Sequence, residues 1–90
     1  MAEFINKVIS LQSKKTSMRL TFWEWKILDS ICRAEKLKRK TLLELIDSHR
    51  NQNIGLTPAV RLFSLIYLFT YGNRFNTCRN IDKILPLLKQ

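Results

Sequence analysis

The sequence predicts a mainly α-helical chain carrying one short β-ribbon, and three observations predict it. Residues 14–20 alternate, with Lys15, Ser17 and Arg19 on one side of an extended strand and Thr16, Met18 and Leu20 on the other. Glycine and proline are scarce, two of each in 90 residues, which suits helices joined by short connections. Residues 58–71 are apolar almost all round, with Arg61, Ser64 and Thr70 as the main polar interruptions. A chain this small has little interior in which to hide such a helix, so self-association is expected. A lone strand cannot satisfy its own backbone, so the strand is expected to pair with a second copy of itself. The resulting two-fold ribbon would carry Lys15, Ser17 and Arg19 outward, and a two-stranded ribbon fits the DNA major groove.

Charge supports a polyanionic partner. Sixteen Lys and Arg against seven Asp and Glu give a net charge of +9 and a pI near 10.1. Residues 14–40 hold nine basic and three acidic side chains, so +6 of the +9 lies in that stretch. The hydrophobic fraction of 46% argues against disorder. Two cysteines do not make a disulfide framework; Cys32 reads as a small core residue and Cys78 falls in a polar connection. Residues 1–6 lack a basic region followed by an apolar one, and the run at 62–69 is far short of the ~20 residues needed to span a bilayer. The expectation is a soluble cytoplasmic protein, nucleoid-associated when bound to DNA.

Taken in order, residues 1–13 form an N-terminal arm or extended segment, with residues 1–6 loosely held. Within it Val8, Ile9, Ser10 and Leu11 are a second extended candidate, either one half of a hairpin or an arm added at the ribbon edge. Residues 14–71 form the main domain. Thr21 and Glu24 spell a capping box that starts the first helix. Trp23, Trp25, Ile27, Leu28, Ile31, Cys32 and Ala34 cover one broad arc of that helix, with Asp29 and Arg33 paired at i and i+4 on the other. A basic turn at 35–40 leads to a second helix over about 39–50, with Leu42, Leu43, Leu45 and Ile46 inward. Gly55 marks a loop, Thr57 caps a third helix with Pro58 in its first position, and Gly72 and Asn73 end it. Residues 72–90 form a C-terminal tail whose helical piece is limited by Pro86 and which either covers the dimer or attaches loosely.

This order of elements resembles the ribbon-helix-helix DNA-binding family of bacterial repressors and antitoxin regulators. The likeness is greater to a subgroup with a Thr-Ser-x-x-Leu strand, a Phe-Trp helix start, an Ile-Asp near the end of the second helix and an extra third helix. Here those positions read Thr16, Ser17 and Leu20, then Phe22 and Trp23, then Ile46 and Asp47, with Gly55 before the extra helix. The resemblance spans residues 8–71. It implies a ribbon-helix-helix dimer plus an additional apolar helix and a short helical tail. It also implies base contacts from Lys15, Ser17 and Arg19, and phosphate binding at the start of the second helix, through Lys38, Arg39 and Lys40 together with Lys14. In one respect the chain departs from the family pattern: Lys38 stands where a small hydroxyl residue usually caps that helix, and Lys40 where an Asn is common. The capping bond is then lost, but cations surround a helix start, which a phosphate would favour.

Arg19 is the strongest base-reading candidate, because a guanidinium can grip guanine O6 and N7 together. Trp23 and Trp25 read as core or dimer-packing aromatics, and His49 with the two cysteines has no metal-like spacing. The chain shows no nucleophile-plus-base arrangement and no glycine-rich phosphate loop, so neither an enzyme nor a cofactor is expected. The reading that follows is a homodimeric, sequence-specific binder of double-stranded DNA that regulates bacterial transcription. Its third helix is apolar enough to build a higher oligomer. The alternative is a protein-interaction module of the same fold, docking a partner through Phe63, Leu65, Ile66 and Phe69 with weak or no DNA binding. A membrane-surface role fits less well, because the third helix lacks a clean polar face.

Overall fold

Alternation in the first strand candidate reaches further back than Val8, and this sets the architecture. In a computed structural model, which describes residues 3–12, 14–71 and 81–89, strand β1 (Phe4–Leu11) pairs antiparallel with β2 (Lys14–Thr21). Asn6 stands opposite Arg19, Val8 opposite Ser17 and Ser10 opposite Lys15. Ile9 and Leu11 join Met18 and Leu20 on the buried side. Gln12 turns the chain with φ of 35°, and its N–H donates to Glu44 Oε2 at 2.8 Å.

The strand at 14–21 therefore finds one partner within its own chain, the hairpin alternative for residues 8–11, and its pairing with a second copy is left to its other edge. Leu11 and Lys14 are near enough in sequence for a tight hairpin to close, and both strands bury alternate residues in one core, β1 against α2 and β2 against α1 and α3. Residues 4–6 are likewise held, because the Trp25 indole N–H donates to the Ile5 carbonyl at 2.9 Å. The edge of β2 that faces away from β1 has no strand partner among the described residues.

Helix α1 (Phe22–Glu35) begins as its sequence dictates. The Thr21 hydroxyl accepts from the Glu24 amide at 3.2 Å, and Glu24 Oε1 accepts from the Thr21 amide at 2.8 Å. Thr21→Ala should lower stability by about 0.5–2 kcal/mol, read as a shift in denaturation midpoint. The helix closes on Lys36, which is left-handed at φ 58°. The Lys36 N–H reaches the Arg33 carbonyl at 3.3 Å and the Leu37 N–H reaches that of Cys32 at 2.9 Å, the Schellman pattern.

Helix α2 (Arg39–His49) lies against β1, and α3 (Leu56–Tyr71) against α1, α2 and β2. Helix α3 starts at Leu56, earlier than expected, with the Ala59 N–H bonded to the Gly55 carbonyl at 3.2 Å. Thr57 is thus inside the first turn, as is Pro58, where a missing N–H breaks no helical bond. A short helix α4 (Ile81–Ile84) runs into a 3-10 turn (Leu85–Lys89). Ile81, Ile84, Leu85 and Leu88 are buried with Leu42, Ile46, Phe63 and Tyr67 in one core. This part of the tail is packed onto α2 and α3 of its own chain and is not loosely attached. The expected helix end at Gly72 and Asn73, and the placing of Cys78, lie outside the described residues.

The interior holds two polar groups that the apolar pattern does not explain. The Tyr67 hydroxyl donates to Glu35 Oε2 at 2.7 Å inside the core, and burial first, then Glu35, pushes that hydroxyl well above the ordinary tyrosine range. Burial likewise raises the Cys32 thiol to about 11, with Asp29 adding to it, so the thiolate needed for reactivity is scarce near neutral pH. Trp25 is 3% exposed and is a core residue, whereas Trp23 is 67% exposed and packs edge-on against Phe22 at 5.3 Å.

Candidate nucleic-acid interface

The pleat of the hairpin sorts its side chains into two chemistries. Thr16, Met18 and Leu20 face the helices, while Lys14, Lys15, Ser17 and Arg19 are exposed. The Arg19 side chain has no carboxylate partner among the described residues. Its guanidinium lies 5.6 Å from the centre of the Phe4 ring, a cation–π contact that limits its rotamers without neutralising it. Arg61 comes within 5.9 Å of the same ring and reaches the Arg19 carbonyl at a long 3.4 Å. Phe4, Asn6, Ser17, Arg19 and Thr57 line an open concavity of about 440 Å³ on this outer face.

Arg61 is held at its other side by Glu24, Nε to Oε2 at 2.8 Å. Burial alone would raise the Glu24 carboxyl, but the Thr21 amide, then Arg61, outweigh it and hold the group below its ordinary range. Since the folded state favours the ionised form, this contribution to stability is present above the ordinary glutamate range. It is lost as pH falls through the lowered value.

The start of α2 presents a second cationic element. Lys38 occupies the cap position without a side-chain cap, and no acidic residue stands in the first turn. The Leu42 N–H makes the first helical bond, to the Lys38 carbonyl at 3.0 Å, which leaves the preceding amides of the turn without a helical acceptor. Lys38 and Lys40 are exposed beside them.

Arg39 is engaged by other partners. Its Nε and Nη2 grip the two Asp29 oxygens at 2.8–3.0 Å, and its guanidinium stacks 5.0 Å from the Trp25 ring. Asp29 thus pairs with Arg39 across the turn and not with Arg33 one helical turn away. Arg39, expected among the phosphate-binding residues, is engaged in fastening α2 to α1.

Sequence reasoning missed the outer face of β1. Phe4, Asn6, Val8 and Ser10 all point outward beside the expected contacts, Phe4 54% and Val8 71% exposed. Alternation could have revealed them, but it is hidden in two places. Lys7 sits on the inner side, its ammonium 5.4 Å from the Trp25 ring, and Val8 sits on the outer.

A basic, sided ribbon in front of two helices, the second opening in unbonded amides and lysines, has the architecture of a class of DNA-binding domains. A family model described as "Ribbon-helix-helix domain" matches residues 4–68, and the chain belongs to that family. Domains of this family are in general DNA-binding transcription regulators, and they dimerise. Searches of curated proteins and of solved structures found no match to the chain. Among the described residues no helix is long and apolar enough to cross a membrane.

Proposed function

We propose that this protein is a homodimeric, sequence-specific DNA-binding regulator of bacterial transcription, acting as a repressor in the cytoplasm. The observation that carries this is the sidedness of β2: an apolar row against the helices and an exposed Lys15, Ser17 and Arg19 row without acidic partners among the described residues. Two copies join through the β2 edge left open by β1, so that the two rows form one ridge across a dyad. Arg19, Ser17 and Lys15 face base edges, while Lys14, Lys38, Lys40 and the amides at the start of α2 take backbone phosphates.

Selection of bound sequences from a random duplex pool tests the proposal. Two inverted half-sites are expected, and a bound pool without any shared motif would refute sequence-specific reading. Lys38→Ala should weaken cognate and random duplexes by a similar factor. It should also reduce the slope of log K against log salt by about 1.8, one phosphate contact being lost from each of the two protomers, measured by fluorescence anisotropy at several salt concentrations.

Exposed apolar side chains on α3 favour a second reading. Leu65 is 64% and Phe69 93% exposed, as if reserved for a protein partner. That reading requires a stable hetero-complex, with duplex binding that disappears at physiological salt.

A further inference from the structure

We infer that β1 is a rim strand: its outward Asn6 and Ser10 hydrogen-bond phosphates on the wall of the groove whose floor β2 reads. This rests on the dimeric DNA-binding reading above and adds to it a second set of contacts.

The geometry follows from two lengths. Neighbouring strands lie about 4.8 Å apart, so in a ribbon centred between two copies of β2, each β2 runs about 2.4 Å from the dyad and each β1 about 7 Å. The major groove is about 12 Å wide, so its walls stand about 6 Å from its midline. Four strands are therefore too broad to lie side by side among the base edges. The inner pair enters, and the outer pair meets the sugar-phosphate walls.

The composition of the outward row of β1 fits that position. Asn6 and Ser10 are exposed neutral groups able to donate hydrogen bonds, and no acidic side chain stands among Phe4, Asn6, Val8 and Ser10 to repel a phosphate. Four residues of strand separate Asn6 from Ser10, about 13–14 Å, so they would grip different phosphates. An independent feature points to the same side. Val8 and Ser10 share an open concavity of about 250 Å³ with Arg39 and Lys40, which places the rim strand next to the start of α2. Lys40 and Ser10 thus border one surface beside the start of α2, on the side where the groove wall would stand.

The test compares Asn6→Ala, Ser10→Ala and Arg19→Ala with the unaltered protein on three kinds of duplex. These are the selected site, its single-base-pair variants and random sequence. Asn6→Ala and Ser10→Ala should each weaken every duplex alike, on the order of tenfold, because a hydrogen bond to a charged group is lost. The salt slope should stay unchanged, since neither side chain carries charge. Ser10→Thr, which keeps the hydroxyl, should bind normally. A loss confined to particular base pairs would overturn the inference by showing that β1 itself reads bases. Unaltered affinity for both alanine variants would overturn it by showing that β1 stands clear of DNA. Failure of the underlying reading looks different: the unaltered protein would then show no preference for any duplex, whatever Asn6 and Ser10 do.

Discussion

Trp25→Ala should remove a large part of the stability of the fold. The indole is 3% exposed, and its N–H bonds to the Ile5 carbonyl at 2.9 Å, fastening the first strand to α1. Lys7 covers its ring at 5.4 Å and Arg39 at 5.0 Å. Truncating a buried tryptophan costs about 3–5 kcal/mol, through lost burial and the cavity left behind. Domains are stable by roughly 0.05–0.15 kcal/mol per residue, about 5–14 kcal/mol for a chain of 90 residues, so this loss is a large share of the whole. Trp25→Phe keeps most of the apolar bulk and gives up the indole N–H. It should therefore recover all but about 1–3 kcal/mol. Urea denaturation followed by circular dichroism measures both. A Trp25→Ala midpoint close to that of the unaltered protein would show that the indole does not fasten the hairpin.

Arg19→Ala should have the largest effect on recognition. Arg19 lies on the open side of the ribbon, steadied over Phe4 and free of any carboxylate among the described residues. A two-bond contact from such a guanidinium to guanine O6 and N7 is worth about 1–3 kcal/mol of discrimination, roughly 5- to 150-fold. The variant should lose that much preference for the selected site over a duplex changed at one base pair in a single half-site. Its loss on random DNA should be smaller, from one fewer charge. Arg19→Lys should not restore the preference, because an ammonium lacks the planar fork. If a gel-shift titration of Arg19→Ala showed cognate and random duplexes weakened by the same factor, base reading by this residue would be wrong.

Much of the local structure was legible because the signals were local. Thr21 and Glu24 stand three residues apart and form the capping box their spacing implies. The inside and outside of β2 follow from a period of two, and the uncapped start of α2 follows from the lysine at position 38. The pairing of the strands was not legible in the same way. The turn between them lacks the Asn-Gly or Asp-Gly pair that marks a tight hairpin, and Gln12 adopts a positive φ without being glycine. Helix-surface spacing suggested Arg33 for Asp29. Arg39 is ten residues away, and only the fold of the turn brings it into reach. For the tail, the apolar spacing of Ile81, Ile84, Leu85 and Leu88 was visible, but which surface it would cover depended on the arrangement of α2 and α3.

Because β2 meets β1 inside each subunit, the protomer does not need another molecule to complete its first ladder. Obligate dimers that lend each other strands have no folded state alone, so their unfolding temperature depends strongly on protein concentration. If the proposed dimer forms through the outer β2 edge, folding and association are separable events. The strength of the proposed dimer would then be set by the outer β2 edge without affecting the integrity of the subunit, and occupancy of DNA would follow the concentration of the protein steeply.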